Sequence, residues 1–332
     1  MTVPFRWGIL GCAAIARTFI DAVKSVPDAS VAAIASRDAR KSESWAAEFG
    51  IPLRFGSYDA LLSCGELDAV YIPLPNSLHA EWTMRALDAG LPVLCEKPFA
   101  LNAAQAAQVA EAAKARGLPL AEAFMYRFHP VYRRIREHLD KNALGRLTTI
   151  FAQFTFALDD EASISASAEL GGGALMDVGC YCVNVARLVA GTEPLRAFAL
   201  AHMDRVDRSM TGCLEFPDGL LAHFETSIEN FERHRLEIAG TDGAITLERP
   251  WFPGEKEAAF TLKKPSCEWS MSVEGANGYV EEIKDFMAAV RKEAPLRWPI
   301  RDAVANQAVL DALFASLKEG RAMPVRMPEL TS

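Results

Sequence analysis

From Arg6 to about Leu120, short apolar runs alternate with longer stretches of helical periodicity. That rhythm belongs to parallel β-α-β units. Residues 7–10, 31–35, 69–72, 93–95 and 118–121 are apolar almost throughout and predict strands buried on both faces of a parallel sheet. Between them, helices are expected from just after Gly11 to before Pro27, over 39–49, over 78–89 with Gly90 as a stop, and over 103–116 ending at Gly117. Beyond Leu147 the period changes. Ile150, Ala152, Phe154, Phe156 and Leu158 fall on alternate positions, as in a half-buried strand. Further strands are predicted at 197–203, 211–216, 220–226, 235–239 and 244–247, with Pro217-Asp218-Gly219 and Thr241-Asp242-Gly243 supplying hairpin turns. Helices are expected at 174–190, 279–291 and 301–318.

The 332 residues exceed the length at which a single core usually stops growing. Two domains are expected: 1–122, an α/β Rossmann domain with a parallel, doubly wound sheet, and 123–332, an α+β domain with a large open, mainly antiparallel sheet. The C-terminal helices are candidates for packing back on the first domain. Half the residues are hydrophobic and 23% are charged, which suits a folded protein rather than a disordered one. A net charge of -8 offers no broad positive field for nucleic-acid phosphates. Residues 7–16 mimic a signal peptide in their apolar run and small residues, but they open the nucleotide fold and are assigned to the mature chain. No stretch reaches the roughly 20 apolar residues of a membrane span. Seven cysteines without CxxC or Cys/His ligand spacing fit reduced core residues of a cytoplasmic protein, and no metal is expected.

Candidate chemistry begins at Gly11-Cys12-Ala13-Ala14-Ile15-Ala16, directly after the first strand. It is a GxGxxA fingerprint with its second glycine replaced: a tight turn, a backbone close to a pyrophosphate, and a small residue for helix-strand packing. The helix that follows offers unpaired N–H groups to an anion. At the end of the second strand, where an NAD-specific fold usually carries Asp or Glu, stand Ser36 and Arg37. A hydroxyl followed by a guanidinium suits the 2'-phosphate of NADP, and Arg40 and Lys41 add positive charge. Asp38 next door is the alternative, ribose-binding reading. Pro75-Asn76 with His79, and Glu96-Lys97-Pro98, follow the third and fourth of these strands, at the carboxyl edge where open α/β sheets place ligands. In the second half, Gly171-Gly172-Gly173 precedes a predicted helix on which Asp177 and Tyr181 are four apart and share a face. A tyrosine on an apolar helix is ordinarily core and a lone Asp ordinarily a cap; the combination after three glycines is less ordinary.

Taken in this order and spacing, these segments resemble the glucose-fructose oxidoreductase and inositol dehydrogenase family, often called Gfo/Idh/MocA. Ala121-Glu122-Ala123-Phe124-Met125-Tyr126-Arg127-Phe128-His129-Pro130 and Gly171 to Tyr181 are most similar to the branch of D-xylose dehydrogenases and dimeric dihydrodiol dehydrogenases. The resemblance implies an NADP(H)-dependent enzyme, with NAD(H) the less favoured cofactor, acting on a sugar or diol. It implies cofactor contacts at Gly11, Cys12, Ala13, Ala14, Ile15, Ser36, Arg37, Arg40, Pro73, Leu74, Asn76, His79, Glu96, Lys97 and Arg127. Substrate contacts are implied at Lys97, Tyr126, Phe128, Asp177 and Tyr181. Catalysis falls to Lys97, Asp177 and Tyr181. Many relatives carry His where this chain has Tyr181 and Asp where it has Asn184, which puts an inositol-type mechanism in doubt. Tyr181 takes the proton of a sugar hydroxyl while the carbon beneath passes hydride to the nicotinamide. A phenol is a weak base near neutrality, and the Lys97 ammonium is expected to lower its pKa by roughly 1 to 3 units. Asp177 orients Lys97 or binds a substrate hydroxyl. Alternatives are a trans-dihydrodiol dehydrogenase, a 1,5-anhydrofructose-type reductase or a non-enzymatic NADP-binding regulator. A sugar-to-sugar oxidoreductase with retained cofactor is less favoured, because no N-terminal arm precedes Arg6. A homodimer through the C-terminal sheet is expected.

Overall fold

The apolar runs of the first half form one parallel sheet. In the computed structural model, which describes residues 4–330, the strands are β1 (Phe5–Leu10), β2 (Ala29–Ala35), β3 (Leu53–Phe55), β4 (Ala69–Ile72), β5 (Val93–Glu96) and β6 (Leu120–Ala123). The outer ends of the expected domains, residues 1–3 and 331–332, lie outside the described residues. The order is β3-β2-β1-β4-β5-β6, so the winding reverses between β1 and β4. Helices α1 (Ala14–Lys24), α2 (Ala39–Phe49), α3 (Tyr58–Leu62), α4 (Asn76–Asp88) and α5 (Ala103–Arg116) make the crossovers. Because both faces are covered, alternate residues of each strand feed different cores. Leu10, Val70, Ile72, Val93 and Cys95 belong to one, with residues of α4 and α5. Trp7, Ile9, Ile34, Tyr71 and Leu94 belong to the other, with α1 and α8 (Gly278–Val290). There, the Trp7 ring lies 5.2 Å from Phe19 and 5.4 Å from Phe286.

Two compact units result, and their borders differ from a simple cut of the chain. Among the described residues the first takes in residues 4–125, Gly278–Val304 and residues 329–330; the second is Tyr126–Asn277 with Ala305–Pro328. The last helix, α9 (Arg301–Glu319), contributes its opening residues to the first unit and the remainder to the second.

The second unit is built on nine strands in the order β14-β13-β12-β11-β7-β10-β9-β8-β15. They are β7 (Leu147–Ala157), β8 (Arg196–Met203), β9 (Asp207–Glu215), β10 (Leu221–Ser227), β11 (Glu229–Gly240), β12 (Ala244–Leu247), β13 (Glu257–Lys264), β14 (Cys267–Glu274) and β15 (Met323–Pro324). Every pair is antiparallel except β7 with β10. Ile150, Ala152 and Phe154 of β7, Ala222 and Phe224 of β10, and Leu236 and Ile238 of β11 are buried on one face, toward α7 (Cys180–Ala190). The neighbouring positions face the other way and include Phe151, whose ring meets His223 at 4.9 Å, and the exposed Leu200 and Leu221.

Several elements depart from the sequence pattern. The sixth parallel strand starts two residues later than expected, since Pro119 has no N–H and gives the ladder only its carbonyl, to Val93. Helix α6 (Pro130–Asp140) was not expected although its signals are present: His129 caps it by accepting from the Val131 N–H, and Pro130 opens it. β3, α3, β13 and β14 were missed, the first two for their shortness and β14 although Cys267, Trp269, Met271 and Val273 alternate with polar residues along it.

Candidate active site

At the carboxyl edge of the parallel sheet, Gly11 turns the chain with φ +119°, and a Cβ there would lie 2.9 Å from Leu74 Cδ2. The turns after β1 and β4 are therefore in contact at the reversal point, the place where such sheets bind ligands. Helix α1 begins behind this turn with an extended Ala13, no side-chain cap and no acidic residue in its first turn. Its opening N–H groups and the glycine cradle fit a pyrophosphate. Ala13 in place of the second glycine of the fingerprint leaves the turn intact.

Asp38 is the N-cap of α2, its carboxylate accepting from the Arg40 N–H at 3.0 Å, while Ser36 accepts from the Asp38 N–H. Arg37 lies beside Tyr58, whose phenol is pushed up by burial and pulled the other way by that arginine. Tyr58, set edge-on against Trp82, is a neighbour of Arg37 that sequence reasoning did not find. Burial raises the Cys12 thiol, opposed by Lys41, the Ser36 hydroxyl and Arg17, which puts positive charge beside the fingerprint.

His79, expected as a cofactor contact, lies fully buried in α4. Its ring nitrogens stand 2.8 Å from the Pro98 carbonyl and 2.7 Å from the Leu74 carbonyl. Burial lowers its pKa to about 4, so the ring is neutral and has one N–H to donate. Burial is the largest influence, the two carbonyls pull the other way, and Lys97 adds to the lowering. The neutral ring donates to one of the two carbonyls and stands beside the other, between the turn holding Pro73 and Leu74 and the turn holding Lys97. The Phe99 N–H donating to Glu122 at 2.8 Å fixes the Lys97 turn from another side. Glu96 accepts from the Tyr71 hydroxyl at 2.5 Å and from the Lys97 N–H; burial raises its carboxyl and Lys97 opposes the rise.

Asp177 and Tyr181 sit in the second unit, as do Tyr126, Arg127 and Phe128, whereas Lys97 and the other expected cofactor contacts sit in the first. Asp177 lies in a π-helical turn, Leu175–Gly179, that precedes α7. The expected α-helix therefore opens one hydrogen bond wider, a distortion common at functional sites. Tyr181 begins α7 among rings: Phe154 at 5.4 Å, Trp251 at 5.5 Å and Tyr126 at 5.8 Å. Trp251 was invisible to periodicity and is held by its indole N–H donating to the Gln153 carbonyl. Tyr126 donates to Asn184 at 2.6 Å, so the residue standing where relatives carry a second Asp is part of a buried amide network with Asn306. The π turn is anchored by Asp207, which accepts from the Leu175 N–H at 2.6 Å. Gly173 leaves room for that carboxylate: a Cβ there would lie 2.1 Å from Asp207 Oδ1.

Two family models cover the chain: one described as an oxidoreductase family with an NAD-binding Rossmann fold over residues 5–124, the other as the GFO/IDH/MocA C-terminal domain over 132–246. The D-xylose 1-dehydrogenase (NADP(+)) 2 of Haloferax volcanii is 39% identical over 96% of this chain and 98% of that protein. The chain belongs to the GFO/IDH/MocA oxidoreductase family. A trans-1,2-dihydrobenzene-1,2-diol dehydrogenase of Xenopus tropicalis is 31% identical over 94% of the chain and 98% of its own length. Among solved structures, a 3-ketoreductase from Actinomadura kijaniata, in complex with NADP and TDP-benzene, superposes with a TM-score of 0.90 at 30% identity. It covers 94% of this chain and 98% of its own. The resemblance of the paired motifs to this family is thus established, and with it an enzyme of the oxidoreductase class.

The Asp207 anchor makes a testable claim about stability. Burial pushes its carboxyl up to about 6, only partly offset by the Leu175 N–H. A carboxyl whose folded pKa exceeds its unfolded value near 3.9 binds its proton more readily when folded. Its contribution is greatest below the unfolded pKa and is lost as pH rises through about 6. Asp207→Asn keeps an acceptor for Leu175 without titrating. Urea unfolding of both proteins between pH 4.5 and 8 is expected to show wild type losing about 2 kcal/mol relative to the variant as pH rises. A pH-independent difference would count against the raised carboxyl.

Proposed function

We propose that this protein is an NADP(H)-dependent dehydrogenase of sugar or diol carbinols, with an aldose such as D-xylose oxidised to its lactone as the leading case. The observation that carries this reading is Tyr181: a phenol at the start of α7, one turn from Asp177 and ringed by Phe154, Trp251 and Tyr126. A hydroxyl acid/base on an aromatic floor with a carboxylate beside it suits a polyhydroxylated ring. The likeness to a D-xylose dehydrogenase over 96% of the chain supports the same choice. A trans-dihydrodiol substrate is the second reading, supported by the likeness to such dehydrogenases and by the apolar character of the same ring cluster.

In the proposed reaction, the bound nicotinamide supplies the hydride acceptor. Tyr181 Oη takes the proton from the substrate hydroxyl. Lys97 provides the positive charge that makes a phenolate accessible near neutral pH. Asp177 accepts from a second substrate hydroxyl. Ser36 and Arg37, with Arg40 in the same helix start, bind the 2'-phosphate, while the Gly11–Ile15 turn holds the pyrophosphate. Arg127 and Phe128 are assigned cofactor and substrate contacts respectively, and a cytoplasmic location is part of the same proposal.

Following NADPH absorbance against aldoses, anhydroketoses and dihydrodiols tests the substrate class; no turnover with any of them would sink the reading. Arg37→Asp is expected to weaken NADP binding about tenfold or more while NAD binding holds or improves. Equal losses would make Arg37 structural. Tyr181→Phe keeps the packing ring and is expected to cut turnover by about 10² to 10⁴ with NADP binding retained. Lys97→Met should cost about as much, and the double variant little more than either. Fully additive losses would separate the two roles. For assembly, we propose a homodimer through the outer sheet face, where Leu200 and Leu221 are 66% and 54% exposed. Sedimentation at micromolar concentration should give a dimer that Leu200→Glu with Leu221→Glu converts to monomer; a wild-type monomer would remove the claim.

A further inference from the structure

The segment between β7 and the π turn folds back on Asp177 through a residue that no motif singles out. Ser165, in a short 3-10 turn (Ile164–Ala166), donates its hydroxyl to Asp177 Oδ2 at 2.6 Å. The geometry of the surrounding chain is built around that contact. Ser163 Oγ accepts from the Ser165 N–H at 3.3 Å, and the Ser165 carbonyl accepts from the Gly173 N–H at 2.8 Å. The Ser167 carbonyl accepts from the Gly172 N–H at 2.8 Å. Gly172 is required by the crossing: a Cβ there would lie 2.4 Å from the Ile164 carbonyl oxygen and 2.6 Å from that of Ser165. Gly173 makes room on the other side for Asp207. The triple glycine seen in the sequence is therefore the place where a strap bearing Ser165 crosses the chain leading into Asp177.

We propose that Ser165 is a positioning residue that fixes the carboxylate of Asp177 for its contact with a substrate hydroxyl, and so sets substrate affinity rather than the chemical step. This rests on the role given to Asp177 above. A carboxylate held by a hydroxyl keeps one rotamer, and its other lone pairs keep a defined direction. Without the hydroxyl, that constraint on its orientation is lost. A hydrogen bond to a charged group of this kind corresponds to about 10- to 100-fold in binding.

Steady-state kinetics of the full chain with NADP and D-xylose, or the best-turned-over compound of the panel above, give the test. Ser165→Ala should raise KM about 10- to 100-fold, with kcat within about threefold and NADPH affinity by fluorescence unchanged. Ser165→Thr should restore KM. The Ser165→Ala, Asp177→Asn double variant should be no worse than Asp177→Asn alone. Wild-type KM in Ser165→Ala, failure of the threonine rescue, or additive losses in the double variant would each overturn the proposal. Should the alanine variant not fold, Ser165→Cys repeats the test with a side chain of similar shape and a weak donor. Asp177→Asn separates the two failures. If it is impaired while Ser165→Ala is normal, only this proposal falls; if Asp177→Asn is itself normal, or no compound of the panel is turned over, the functional reading falls and takes this one with it.

Discussion

Where β1 gives way to α1 the backbone turns through φ +119° at Gly11, a conformation that only glycine adopts without strain. Gly11 lies against Leu74, and the buried His79 stands between the Leu74 and Pro98 carbonyls. The turns after β1, β4 and β5 meet at this carboxyl edge, and the reversal of strand order between β1 and β4 opens the crevice there. Pro98, whose carbonyl stands beside His79, directly follows Lys97.

A comparable economy operates in the second unit. The chain entering α7 carries Asp177 in a widened turn and Tyr181 just beyond it, and such a turn leaves main-chain groups in need of partners. Asp207 satisfies the Leu175 N–H, Thr226 donates to the Ala174 carbonyl, and Gly173 receives the strap that bears Ser165. Burial disfavours the charge of the Asp207 carboxylate there, and the Leu175 N–H relieves that cost only in part. Polar groups that would be costly as orphans have become the frame of the site.

Much of this was legible from the chain itself, for identifiable reasons. A strand covered on both faces must be apolar at every position, so the parallel sheet announces itself, and the fingerprint after β1 names its ligand class. The alternating stretch around Phe154 likewise declared the open sheet. What stayed hidden depends on contacts distant in sequence. Tyr58 reaches Arg37, Trp251 reaches Tyr181, and Ser165 reaches Asp177, none of them at a helical or strand period. His79 looked like a ligand-facing residue because its position was known and its burial was not. The π turn could not be read at all, since an extra residue in a turn leaves the apolar spacing of the following helix unchanged.

The first unit closes its core with residues from near the end of the chain: Ile283, Phe286 and Met287 pack with Trp7 and Phe19. On the ribosome, then, the nucleotide-binding sheet emerges long before the helix that seals one of its faces. At about 5–20 residues per second, roughly ten to thirty seconds separate the appearance of Met125 from that of Met287. During that interval the sheet face that α1 covers lacks the side chains α8 adds, and most of the second unit is synthesised while the first waits. A message truncated before residue 278 would yield a polypeptide whose first core is left without Ile283, Phe286 and Met287.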